Sequence, residues 1–326
     1  MDQQKKYEGI LEYFLHWERE TPNAVFLRQP KGSNWKEYSW REVGFEARKI
    51  QANLTRLGIH KGDRVALLSQ NCAEWIMTDI GIMMGGFVSV PLYANVNAST
   101  LNDILTHSEA KLLFIGKMND KDWDAVKHSI PDIIQTVTFN GYERESITSW
   151  KQFLQTHEIP DTVPDVSKHD VFTIIYTSGS TGTPKGVVHC NNSVINALNI
   201  AGKEVLLDKQ GNRFFSYLPL SHAAERGLVE CGAIFSGGSI SFVESLESFA
   251  SNIKNSKPTH FFGVPRIWEK FQEKILESLS QQKLNILLKL PLISSIIKPP
   301  ALFVYAVRSG SAANETSACA TSCEAT

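Results

Sequence analysis

The sequence predicts an α/β fold with largely parallel sheets in two lobes. Short β-branched and aromatic runs alternate with helical patterns along most of the 326 residues. The alternation restarts after the turn-rich stretch Pro160-Asp161-Thr162-Val163-Pro164-Asp165, which reads as a linker. A buried strand over 171–175 then runs into Tyr176-Thr177-Ser178-Gly179-Ser180-Thr181-Gly182-Thr183-Pro184-Lys185-Gly186, a hydroxyl- and glycine-rich run closed by one lysine. Lobe boundaries are expected at 1–165 and 166–300, with 301–326 as a structureless or aberrant tail.

Each element has its own signal. Ile10, Leu11, Phe14 and Leu15 share one helical face. Ser39-Trp40-Arg41-Glu42 spells a capping box, and the helix it starts ends where Gly58 offers a C-terminal glycine. Strands are predicted over 64–68, 88–92 and 112–115, with helices over 71–84 and 99–108 between them. A helix over 123–130 and a strand over 135–139 follow. In the second round, helices are predicted over 192–207, 221–235 and 246–255, and strands over 214–218, 239–243 and 260–264. Pro265 suits the first position of a helix whose apolar stripe is Ile267, Trp268, Phe271, Ile275 and Leu279. The run 284–297 reads as a core-packing helix, with a membrane-surface helix as the alternative; it is too short to span a bilayer.

The totals bound the function. Hydrophobic content is 42% and charged content 21%, ordinary for a globular protein. The formal net charge of -1 makes no case for nucleic acid or an anionic membrane as partner. Cys72, Cys190, Cys231, Cys319 and Cys323 are scattered and odd in number, so neither a disulfide framework nor a zinc site is expected and a reducing compartment fits. No apolar run follows Met1-Asp2-Gln3-Gln4-Lys5-Lys6, so no secretory leader is expected. A cytoplasmic location follows, with peripheral membrane contact and homo-oligomerisation left open.

The run from Thr177 to Lys185 suits a polyanion. Its glycines let backbone N–H groups turn inward, its hydroxyls donate or ligate magnesium, and Lys185 adds a compact charge. It is not a Walker A loop, because Pro184-Lys185-Gly186 stands where Gly-Lys-Ser/Thr belongs. The bland alternative is a polar connector.

This run resembles the phosphate-binding signature of the adenylate-forming superfamily. Further segments are similar to its long-chain acyl-CoA synthetase branch: Gly62-Asp63-Arg64-Val65-Ala66, Ser216-Tyr217-Leu218-Pro219-Leu220-Ser221-His222-Ala223-Ala224-Glu225-Arg226, and His260-Phe261-Phe262-Gly263-Val264-Pro265-Arg266. The resemblance implies the large N-terminal domain of that fold, with two αβα-type lobes. It implies ATP-dependent activation of a fatty acid or other carboxylate through an acyl-adenylate, then transfer to coenzyme A. Thr177 would help hold Mg2+, Ser178, Gly179, Ser180, Thr181, Gly182 and Thr183 would bind the outer phosphates, and Lys185 would close the loop. His222 would lie near the carboxylate and α-phosphate, and Gly263 and Val264 would line the substrate pocket. The bland readings are His222 as a first-turn residue behind a Ser221 cap, Glu225 and Arg226 as a solvated pair, and Gly263 as relief of crowding.

The resemblance also implies parts not found in this chain: a magnesium-binding glutamate, a ribose-binding aspartate, and a small C-terminal domain with its lysine. The second lobe is therefore expected to be incomplete. Two functions compete, a fatty-acid activating enzyme and an inactive portion that keeps at most weak nucleotide or acyl binding.

Overall fold

A computed structural model of the chain describes residues 7–155, 167–177, 184–207, 211–278 and 303–304. They fall into two compact units, Met1–His260 and Phe261–Thr326.

The first unit is built on two mixed sheets. One sheet contains β3 (Arg64–Leu68), β4 (Val88–Leu92), β5 (Leu112–Ile115), β6 (Gln135–Thr138), β7 (Val171–Thr177) and β8 (Lys185–Cys190), in the order β6-β5-β3-β4-β7-β8. All its pairs are parallel except β7–β8. The other sheet places β9 (Arg213–Ser216) beside β10 (Ser239–Phe242), then β1 (Val25–Lys31) and β2 (Asn34–Ser39). His260 extends it in parallel register with Phe214.

Strand membership departs from the expected lobes. β1 and β2, from the first stretch of chain, lie in the same sheet as β9 and β10, with Leu27 in register with Ile240. Conversely β7 and β8, beyond residue 165, complete the sheet of β3–β6. The alternation thus correctly announces two sheets, but a strand pairs where its apolar face finds cover, not by its place in the chain. The expected linker over 160–165 lies outside the described residues.

The hairpin β1–β2 has a legible signal that periodicity missed. Gly32-Ser33 is a two-residue turn, and Gly32 adopts φ +59, which a glycine tolerates. Pro30 is accommodated because β10 pairs with β1 only near Leu27 and Arg28, so no partner is waiting for the missing N–H.

Helices α1 (Ile10–Glu20), α2 (Trp40–Arg56) and α3 (Ala73–Met84) share one apolar core with strands of both sheets, including Leu27, Val65, Leu67, Ile240 and Phe242. Every residue of α3 is buried, as its nearly uninterrupted apolar sequence requires. Gly81 lets α3 approach α2: a Cβ there would lie 2.8 Å from the Ala47 carbonyl oxygen. The capping box forms as expected, with the Glu42 N–H donating to Ser39 Oγ at 3.3 Å and the Ser39 N–H to Glu42 Oε2 at 2.7 Å. Gly58, just past the end of α2, adopts φ +81. A second core on the far face of the first sheet packs Ala66, Leu68, Val90 and Ile115 against Leu101, Ile104 and Leu105 of α4 (Ala98–His107). The helix expected over 123–130 begins earlier, as α5 (Asp120–Val126), because Asn119 caps it.

The later helices are α6 (Trp150–Phe153), α7 (Asn191–Glu204), α8 (Ala223–Glu225) and α9 (Gly232–Ser236), the last two joined by a π-helical stretch, Arg226–Cys231. α10 (Phe249–Ser256) follows β10.

The second unit holds α11 (Pro265–Ser278), which opens on Pro265 as expected, and a two-residue strand, Phe303–Val304. That strand falls inside the stretch expected to lack structure. The remainder of 301–326, and the run 284–297, lie outside the described residues.

Candidate functional site

The hydroxyl- and glycine-rich run joins two antiparallel strands. β7 and β8 are in register from Val171–Cys190 to Thr177–Lys185, so the two ends of the loop stand directly opposite each other. Gly186 to Cys190 was not expected to be a strand; Val187 and Val188 are the β-branched residues that favour one. Thr177 and Lys185 are both exposed. Ser178, Gly179, Ser180, Thr181, Gly182 and Thr183 lie outside the described residues. The donor set at the described ends, one hydroxyl and one ammonium, suits a polyphosphate, with Thr177 offering magnesium a single oxygen. Among the described residues, no group of three or more His, Cys, Asp or Glu side chains is placed to hold a metal ion.

The second motif is held from both sides. Asn71, just past β3, donates to Ser216 Oγ at 2.7 Å and to the Leu218 carbonyl at 2.6 Å, and accepts from the Leu220 N–H at 3.0 Å. One side chain from the first sheet thus fixes the Leu218-Pro219-Leu220 segment that leaves the second. Glu225 holds the same segment from behind, accepting from Ser216 Oγ and the Tyr217 N–H, each at 3.0 Å. Its carboxyl is pushed up to about 8 by burial, partly offset by the hydroxyl of Ser216 and the N–H groups of Tyr217 and Leu218.

His222 is the N-cap of α8. Its Nδ1 accepts from the Ala224 N–H at 3.2 Å, and the residue is exposed. The cap is His222 itself, not Ser221, which is buried.

Glu225 and Arg226 are not a solvated pair. Each is 1% exposed. Arg226 donates from Nη2 to both carboxylate oxygens of Asp79, at 2.7 and 2.6 Å, and from Nη1 to Thr173 Oγ1 at 2.7 Å. Its guanidinium lies 4.4 Å from the Phe172 ring centroid, and Glu230 Oε2 stands 3.4 Å from its Nε. Burial pulls the guanidinium down, but Asp79 and Glu230 more than offset it and leave it raised. Glu230 is held well above the carboxylate range by burial and by the Asp79 charge. Sequence reading missed Asp79 and Glu230. The available signal was an aspartate in the otherwise apolar Trp75–Met84 run, where a buried charge needs a partner.

These residues border a cavity of about 280 Å³. Its walls are Phe172, Thr173 and Ile175 of β7, His189 of β8, the Ser193–Leu198 face of α7, and the helix from Ala223 to Cys231. Most of that lining is apolar. Burial and the nearby Arg226 charge lower the His189 imidazole.

A second, more polar crevice of about 300 Å³ opens at the carboxyl ends of strands from both sheets. Asn71, Tyr93, Asn95, Lys117, Tyr217 and Glu244 are among its lining residues. Open α/β sheets bind ligands at such strand ends, where crossovers leave in opposite directions, as they do from β3 and β4. Lys117 donates to the Val243 carbonyl at 3.0 Å, and burial lowers its ammonium.

Gly263 and Val264 fall in the second unit. A Cβ at Gly263 would lie 2.5 Å from Trp268 Nε1, and that indole N–H donates to the Gly263 carbonyl at 3.2 Å. The space beside Gly263 is therefore taken by Trp268.

Comparison with known proteins agrees with this architecture. A family model described as AMP-binding enzyme matches residues 14–312. A long-chain-fatty-acid–CoA ligase of Xenopus laevis is 29% identical over 269 residues, covering 77% of this chain and 36% of the relative. Fatty acyl-CoA synthetase A of Dictyostelium discoideum is 29% identical over 269 residues, covering 76% and 39%. This chain thus spans about two-fifths of the curated relatives it matches. The N-terminal domain of FACL13 from Mycobacterium tuberculosis shares the fold, with a TM-score of 0.67 at 23% identity over 90% of this chain and 68% of that one.

Proposed function

The chain belongs to the AMP-binding enzyme family, and on that premise we propose that it takes part in the ATP-dependent activation of a fatty acid. A carboxylate oxygen attacks the α-phosphate of ATP, and pyrophosphate leaves. The thiol of coenzyme A then attacks the acyl carbonyl, and AMP leaves. The observation that carries this reading is one juxtaposition. A largely apolar cavity lies against the same β7–β8 hairpin whose tip carries Thr177, the run Ser178–Thr183, and Lys185.

The residues divide the work. Lys185 and the loop hydroxyls meet phosphate charge as it shifts onto the leaving group, the kind of placed donor that stabilises a phosphoryl-transfer transition state. Magnesium, when bound, neutralises phosphate charge, and Thr177 offers it an oxygen. His222 caps the helix that walls the cavity without itself lining it, and in this reading the substrate carboxylate lies near that imidazole. Gly263 and Val264 remain proposed substrate contacts. The polar crevice with Lys117 offers a place for an anionic part of a co-substrate. No helix among the described residues is long and apolar enough to cross a membrane; peripheral contact and self-association are left to experiment.

A second reading is binding without turnover, and the same experiment separates the two. The test is pyrophosphate release by the purified chain with ATP, magnesium and a panel of fatty acids. Release that needs both a fatty acid and Lys185, and is lost in Lys185→Ala, is the expected result for an activating enzyme. A folded chain that binds ATP or a fatty acid by calorimetry yet releases none is a binder.

A further inference from the structure

The cavity beside the β7–β8 hairpin is apolar in most of its wall but not all. Four lining side chains carry nitrogen or oxygen: Thr173, His189, Ser193 and Arg226. Three have their hydrogen bonds inside the protein. Ser193 Oγ donates to the Cys190 carbonyl at 2.7 Å. Thr173 Oγ1 donates to the Ser89 carbonyl at 2.7 Å and accepts from Arg226. Arg226 gives Nη1 to Thr173 and Nη2 to Asp79, while its buried Nε, 3.4 Å from Glu230 Oε2, makes no hydrogen bond. His189 has no hydrogen-bond partner among the described residues. It stands directly across from Thr173 in the β7–β8 register, so the two share the sheet side of the cavity.

A half-buried neutral imidazole presents one N–H donor and one acceptor nitrogen. Facing an apolar ligand, both are left unmatched, which weakens binding. Binding sites of this kind use a few placed polar groups in an apolar wall to fix which ligand fits and how it lies.

We propose that His189 selects carboxylic acids bearing an oxygen substituent on the acyl chain, by hydrogen-bonding that substituent inside the cavity. This rests on the acyl reading of the cavity, with the carboxylate near His222. The volume of about 280 Å³ has room for roughly nine water-sized groups at ~30 Å³ each. A ten-carbon acid is therefore a suitable probe.

The experiment is calorimetric titration of the full chain, with a non-hydrolysable ATP analogue present, using decanoate and 3-hydroxydecanoate. The expected result is tighter binding of the hydroxy acid by about ten-fold, the worth of one well-placed hydrogen bond. His189→Leu should bring that ratio to near one, and His189→Gln, which keeps a donor and an acceptor, should retain part of it. Equal affinity for the two acids in the unaltered chain overturns the inference and leaves the acyl reading standing. A His189→Leu chain that keeps the full ratio overturns it too. Failure of both acids to bind overturns the acyl reading, and this inference with it.

Discussion

Arg226 carries its charge in the protein interior with two carboxylates around it, from α3 and from its own π turn. A buried charge is tolerated only while it is paired, because the lost hydration is worth several kcal/mol. Asp79 supplies both carboxylate oxygens, and burial together with the Asp79 charge holds Glu230 well above the carboxylate range. Arg226→Ala should therefore cost about 3–5 kcal/mol, leaving Asp79 buried and alone. Replacing the pair together, Arg226→Met with Asp79→Leu, should lie closer to the parent than Arg226→Ala does. Urea unfolding of the parent, the single variant and the double variant measures both. At this scale the sequence was half legible. The spelling around His222, Glu225 and Arg226 marked the segment as important, yet whether Glu225 and Arg226 face solvent or interior depends on which helix packs opposite. That helix is α3, 147 positions away in sequence by the Arg226–Asp79 bond.

Helix ends and short connectors form the next scale. The α8 helix and the Leu218-Pro219-Leu220 segment are tied through Glu225, whose carboxyl is raised from 4.5 to about 8. The folded state thus keeps a proton that the unfolded chain releases near pH 4.5. Stability from this group is full below that pH and is lost as pH rises toward 8. The parent should lose stability between pH 5 and pH 8 relative to Glu225→Gln, with a slope of at most about 1.4 kcal/mol per pH unit. Chemical denaturation of both proteins at the two pH values checks it; parallel curves would mean that Glu225 is ionised in the folded state. Element boundaries written by local chemistry were legible: the Ser39–Glu42 box, Gly58 and Pro265 stand where their helices begin or end. β8 was not, because six residues of mixed polarity say little until β7 lies alongside to take their hydrogen bonds.

Across the first unit, α2 and α3 share a core with strands of both sheets, and their separation sets how closely those layers pack. Gly81 is the point of closest approach, since a Cβ there meets the Ala47 carbonyl, which is backbone and does not rotate away. Gly81→Ala should cost about 1–3 kcal/mol, seen as a lower denaturant midpoint with an unchanged slope. A shallower slope would instead mark a loosened folded state.

What the sequence by itself determined is local. Alternation of strand and helix patterns, helix caps, and the hydroxyl-rich run ending in Lys185 are written in neighbouring residues, and nearest-neighbour physics reads them. Only the tertiary structure decided which strands share a sheet, that β1 pairs with β10 rather than with β3, and that Thr173, His189 and Arg226 meet at one cavity. Parallel pairing and buried ion pairs join segments far apart in the chain, and their partners are chosen by which apolar faces remain uncovered and which charges remain unpaired. That choice belongs to the assembled molecule and has no local spelling.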